Sequence, residues 1–198
     1  MKTTIAQLLL LFLFFSSCQE DPKQRLMDQE KEAQKREVVF NNINQGWNFN
    51  SQTINITSRN LTRNWNEWRI LLTELSQKPK SSIGAFQQKA KTLSKRALDL
   101  NNNIPEIYNT PEIKSRIDAI STKLNSINLY IHLNQIPDQK ITQLVRETNS
   151  EFYSIQQQFE EIAFKKQIKM EEGENEMLQM LDTTRAISID NQNIKILK

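Results

Sequence analysis

The chain of 198 residues carries one cysteine, Cys18, and one histidine, His132. A lone thiol cannot close an internal disulfide, and it excludes thiolate metal cages and paired-cysteine redox chemistry. His132 sits beside Ile131 in a helical pattern, and a metal site there would need further histidines or a converging set of carboxylates. The Glu-x-x-His pairs of carboxylate-bridged diiron bundles are missing, so His132 reads as an ordinary histidine at a helix boundary. Glu160-Glu161 and Glu171-Glu172 flank Lys165-Lys166. Paired carboxylates do acid–base work only in a cleft that perturbs their pKa values, and mixed charge along a long helix is ordinarily a solvated face. No glycine-rich phosphate loop, Gly-x-Ser-x-Gly elbow or Cys–His pair occurs. These residues predict no catalytic site, no metal and no cofactor, and the protein reads as a non-enzyme. The one group left with a distinctive chemical opportunity is the Cys18 thiol.

Its surroundings say what that opportunity is. Met1-Lys2-Thr3-Thr4 gives a positive start, and an apolar run of about 11 residues from Ile5 to Phe15 follows, interrupted only by Gln7. Ser16-Ser17 then supplies small residues before the cysteine. These are the three parts of a secretory signal, and the run is too short to span a bilayer, which takes about 20 apolar residues. Phe15-Ser16-Ser17-Cys18 resembles the lipobox of bacterial lipoprotein precursors. It has Phe15 where leucine is typical and Ser17 where glycine or alanine is typical. The resemblance implies that residues 1–17 are a signal peptide, that the Cys18 thiol receives a diacylglyceryl group, and that the signal is cut just before it. Two or more acyl chains would anchor the protein stably, at about 0.8 kcal/mol per buried CH₂. Gln19 next to Cys18 is not aspartate, so the inner-membrane retention signal of enteric bacteria is lacking. Glu20-Asp21 resembles the short charged signal that sends Bacteroidota lipoproteins to the cell surface, although acidic residues also suit a helix start. The implied location is the cell envelope, lipid-anchored to the outer membrane, facing either the surface or the periplasm. In the same setting Asp182-Thr183-Thr184 resembles the three-residue O-glycosylation signal of exported Bacteroidota proteins, which marks Thr183. The N-glycosylation patterns at Asn55-Ile56-Thr57 and Asn60-Leu61-Thr62 carry no meaning in a bacterial lipoprotein.

The elements that follow the anchor are helical. Lys and Arg number 26 against 23 Asp and Glu, a near balance without the concentrated basic surface of a nucleic-acid binder. Only 3 Gly and 5 Pro occur, which favours long helices over a turn-rich β fold. The abundance of Asn, Lys, Ile and Gln is accounted for by A+T-rich codon usage at least as well as by function. Residues 18–50 predict a stalk or linker, rich in charge and glutamine, either a solvated helix or flexible. Leu26, Ala33, Phe40, Ile43 and Trp47 are spaced for one face, so its C-terminal half could pack on the body.

Residues 51–173 predict a bundle domain. Four segments show apolar residues at alternating steps of three and four, the spacing of a helical seam. The first runs Ile54, Leu61, Trp65, Trp68, Leu72, Leu75, with Ser58 in the remaining slot. The second runs from Ile83 and Phe86 through Ala90, Leu93 and Ala97 to Leu100 and Ile104. The third runs Ile113, Ile117, Ile120, Leu124, Ile127, Ile131, with Asn134 next in register. The fourth runs Ile141, Val145, Phe152, Ile155, Phe159, Ile162, with Thr148 in register. Trp65 and Trp68 therefore read as core rather than as an aromatic platform, while Trp47 and Phe49 are better candidates for an exposed contact or a cover for one end.

Lys78-Pro79 stops the first helix, and Ser81 or Ser82 caps the second. Thr110-Pro111-Glu112 starts the third with a capping hydroxyl and a proline at the first helical position. Pro137-Asp138 divides the third from the fourth. Short connections make sequential helices antiparallel neighbours, which predicts an all-α, elongated, antiparallel up-down-up-down bundle. A long coiled-coil oligomer is the competing architecture, disfavoured by the proline breaks. Residues 174–198 form the tail, in which Ile187, Ile189, Ile194 and Ile196 alternate as a small β-hairpin would, or else the tail is disordered.

Three functions fit. One is a non-enzymatic, membrane-anchored module that binds another envelope protein or an extracellular partner. A second is an accessory structural subunit of an envelope secretion or transport assembly. A third is a small-ligand carrier or enzyme with a site of scattered polar residues.

Overall fold

Capping side chains set three of the helix starts in the computed structural model, which describes residues 22–168 and Met180. The expected export signal, Cys18, the expected hairpin and Thr183 lie outside the described residues. Six α-helices and one 3₁₀ turn are found among the described residues: α1 Pro22–Gly46, α2 Ile56–Asn64, α3 Asn66–Ser76, α4 Ile83–Asp99, the turn Glu106–Tyr108, α5 Pro111–Ile131 and α6 Asp138–Gln167. Asn55 caps α2 by accepting from the Ser58 N–H at 2.7 Å. Of the two serines proposed for α4, Ser82 is the cap, accepting from Ala85 at 3.2 Å. Thr110 accepts from the Ile113 N–H at 3.4 Å, with Pro111 opening α5 as its fixed φ suits.

The helices pack against one another around a single core. α3 lies on α4, α4 on α5 and α5 on α6, while α2 and the end of α1 also pack on α6. Every apolar member of the third seam is buried, and so are Thr148 and Ser58 in their seam slots. The seam of the first segment is real but its helix is not continuous. Trp65 adopts an extended conformation (φ −128°, ψ 96°) between α2 and α3, and both indoles are fully buried, stacked at 6.0 Å. Ile54 precedes α2 rather than joining it. Asn134 is exposed because α5 has already ended at Ile131. Helix-to-helix ion pairs tie the outer faces: Lys89 to Glu74 at 2.7 Å, Lys123 to Glu147 at 3.1 Å and Arg116 to Glu151 at 3.4 Å.

α1 passes through two environments. Residues 22–38 are exposed along its whole circumference, whereas Val39 and Phe40 are half-buried and Ile43 is fully buried. The exposed part spans about 25 Å at 1.5 Å per residue. Of the two roles expected for Trp47, an exposed contact or a cover for one end, the structure shows the cover, with Trp47 buried. Its indole meets Phe86 edge-on at 5.1 Å and Phe49 at 5.4 Å, so it closes the core where α4 begins.

Candidate functional site

Two anchors hold α1 where it meets the bundle. The Asn42 amide donates to the Asp138 carboxylate at 2.5 Å, which joins α1 to the first turn of α6. One turn later Gly46 lies so close to Thr142 that a Cβ there would overlap the threonine side chain. Glycine is what allows the two helices this approach. The chain then leaves α1 as an extended strap over residues 47–55, running alongside α6 in the same direction. Side-chain amides of α6 satisfy the strap's backbone. Asn149 accepts from the Asn50 N–H at 2.8 Å and donates to the Asn48 carbonyl at 2.8 Å. Gln156, itself buried, accepts from the Ile54 N–H at 3.0 Å and donates to the Gln52 carbonyl at 3.4 Å. Asn55 returns the bond, donating to the Gln156 carbonyl at 3.0 Å and to Glu160 at 3.3 Å. An extended segment with no strand partner must find bonds for its backbone somewhere, and here amide side chains supply them.

Held in this way, α1 passes over the bundle end and continues outward. Between α1 and the end of the bundle lies an open groove of about 1020 Å³. Its apolar wall is built from Val38 and Val39 of α1, Ile83 at the start of α4, and Leu133 and Ile136 in the α5–α6 connection. Val38 is 58 % exposed and Leu133 44 %. The α1 side of the rim carries Lys31, Glu32, Lys35 and Arg36. Both rim carboxylates are already engaged. Glu32 pairs with Lys35 at 2.9 Å, which holds the Glu32 carboxyl below its ordinary range and raises the Lys35 ammonium. Asp138 accepts from Asn42. Arg36 donates through Nε to the Glu32 carbonyl at 3.2 Å. Three cations against two occupied carboxylates leave the rim net positive. The groove offers apolar contact and positive charge.

The other residues singled out in the sequence do not converge on it. His132 is exposed at the end of α5, its Nδ1 2.7 Å from the Asn128 carbonyl, as a boundary histidine would be. Trp65 and Trp68 are core, grouped with Phe152, Phe159 and Tyr108. Burial pushes the Tyr108 hydroxyl pKa up. Glu160 holds Asn55, and Glu161 pairs with Lys165 at 2.7 Å on the exposed face. Glu171 and Glu172 lie outside the described residues. Among the described residues no group of three or more His, Cys, Asp or Glu could hold a metal ion, and no helix is long and apolar enough to cross a membrane.

Val38, Val39, Leu133 and Ile136 were not singled out in the sequence. The signal that could have found them is apolar residues off the seams: a Val-Val pair ending a charge run, and two aliphatic residues in a connection otherwise made of His, Asn, Gln and Pro.

The chain matches no family model, no curated protein and no solved structure. Its function is therefore read from its own geometry.

Proposed function

We propose that this protein is a lipid-anchored, non-enzymatic binding module of the cell envelope. Its body is an up-down-up-down bundle carried on a helical stalk. The observation that carries the proposal is α1, a single helix that begins four residues after Cys18, runs exposed for several turns, and then enters the core. A helix that is polar all round is stable without a packed face when it bridges two bodies or carries many side-chain pairs. Lys35–Glu32 is such a pair on α1. With a lipid at Cys18 the two bodies are the membrane and the bundle. The groove where the stalk meets the body is the partner-binding surface of this reading, because it combines exposed aliphatic side chains with a cationic rim. The order of contacts, α3 to α4 to α5 to α6 with α2 returning to α6, supports the up-down arrangement.

The test compares wild type with Cys18→Ala in cells by membrane fractionation and by protease treatment of intact and lysed cells. The expected result is membrane attachment that Cys18→Ala abolishes. Cleavage of wild type in intact cells would place the bundle at the surface, and cleavage only after lysis would place it in the periplasm. A Cys18→Ala chain that stays on the membrane like wild type would overturn the anchor.

A further inference from the structure

We infer that the groove between α1 and the bundle end receives residues 171–182 of a second copy of this chain. The inference rests on the groove being the binding surface, and not on the lipid anchor. The groove presents Lys31 and Arg36 above an apolar wall that includes Val38 and Leu133. Residues 171–182 are its chemical complement. They hold five carboxylates, Glu171, Glu172, Glu174, Glu176 and Asp182, and no cation. Met177, Met180 and Leu181 follow at the i, i+3, i+4 spacing of one helical face. Met180 is helical and 86 % exposed. Methionine side chains adapt to irregular apolar surfaces, and opposite charge selects and steers the approach.

Reach decides which copy supplies the segment. The groove lies beside Asp138 at the start of α6, whereas the tail leaves α6 after Gln167. A helix of 30 residues is about 45 Å long at 1.5 Å per residue. Met177 lies ten residues beyond Gln167, and ten extended residues reach at most about 36 Å. With residues 177–181 in the helical turn that makes this face, its far end lies about 6 Å beyond Met177, so even a fully extended linker leaves the face short of its own groove. Two copies side by side with their α6 helices antiparallel set the start of each tail beside the other's groove. The exchange is then reciprocal and closes as a two-fold pair.

The experiment uses the full chain in cells, expressed as two differently tagged copies. One carries photoreactive benzoylphenylalanine in place of Val38. Illumination is expected to join the two tagged copies, with the junction mapped by mass spectrometry within residues 171–182. Lys31→Glu with Arg36→Glu in the photoreactive copy is expected to lower the yield about tenfold, and Glu174→Lys with Glu176→Lys in the other copy to restore it. A junction within one copy, a joined pair that ignores both charge reversals, or a junction to a different protein would each overturn the inference. The last of these would leave the groove standing as a binding surface. No crosslink from position 38 to any protein would overturn both.

Discussion

The two ends of the bundle are closed by different means. At one end Trp65, Trp68, Tyr108, Phe152 and Phe159 form one ring cluster in which Phe159 meets both indoles and Tyr108 edge-on, all of them buried, with the α4–α5 connection folded over them. The Trp65 indole N–H even reaches a carbonyl of that connection, Asn102, at 3.3 Å. At the other end the cover is α1, which supplies Phe40, Ile43 and the following Trp47 and then departs. A cover that stops within the core hides its apolar residues. A cover that continues into solvent leaves the next ones, Val38 and its neighbour across the groove Leu133, partly uncovered. The apolar surface at the stalk end follows from the stalk being a continuation of the cover.

The strongest way to break this comparison is to remove matter from each end. Phe159 touches Trp65, Trp68 and Tyr108, so Phe159→Ala should destabilise the fold by about 3–5 kcal/mol, the range for a buried aromatic truncated to a methyl group. Val38→Ser at the open end should stay within about 0.5 kcal/mol, as exposed substitutions do. Urea unfolding followed by tryptophan fluorescence measures both. Similar costs at the two ends would mean that the groove wall is core after all.

Much of this asymmetry is legible in the sequence, and the reason it is not all legible is physical. Periodicity marks residues that face inward from a regular helix, and it finds Leu61, Leu93, Ile120 and Phe152 for that reason. It cannot find Leu71, which is fully buried although it lies beside the seam rather than on it. It cannot find Tyr108, which enters the core from a 3₁₀ turn. The break at Trp65 leaves the three-and-four spacing intact, so the pattern runs through it unmarked. The strap is the least visible element. Asn149 and Gln156 look like ordinary polar residues of a charged helix, and codon bias explained their abundance as well as any role did. Their bonds to residues 48–54 exist only in three dimensions. The groove is hidden for the same reason, since its wall comes from α1, the start of α4 and a connection far apart in the chain.

A smaller effect sharpens the comparison at the joint between stalk and body. Gly46→Ala puts a methyl group into the Thr142 side chain. The overpacking should cost about 1–3 kcal/mol, offset in part by the better helix propensity of alanine, and Thr142→Ala should recover a share of the loss. Hydrogen exchange locates the effect. Faster exchange confined to the end of α1 and the strap means that the stalk detaches while the bundle persists. Uniform loss of protection means that stalk and bundle unfold as one unit.

The smallest effect separates the two regions by pH. The Lys123 ammonium hydrogen-bonds Glu147 and, as the largest cause, holds its carboxyl below the ordinary range. A carboxyl whose pKa is lower folded than unfolded contributes stability above the unfolded value and loses it as pH falls through the folded value. Glu32 is lowered in the same direction by Lys35, yet that pair lies within the exposed stretch of α1 and bridges nothing to the bundle. Acidification from about pH 5 carries both carboxylates through the ordinary glutamate range at about pH 4.3 and on below it. Glu147→Gln should therefore flatten the fall in bundle melting temperature across that window, while Glu32→Gln should leave the melting curve unchanged and alter only the helicity of the stalk. Both shifts should be small, because Lys35–Glu32 is exposed and Lys123–Glu147 is only part-buried. If Glu32→Gln moves the bundle's melting temperature as far as Glu147→Gln does, the exposed half of α1 is energetically part of the body, and the stalk is not a separate region.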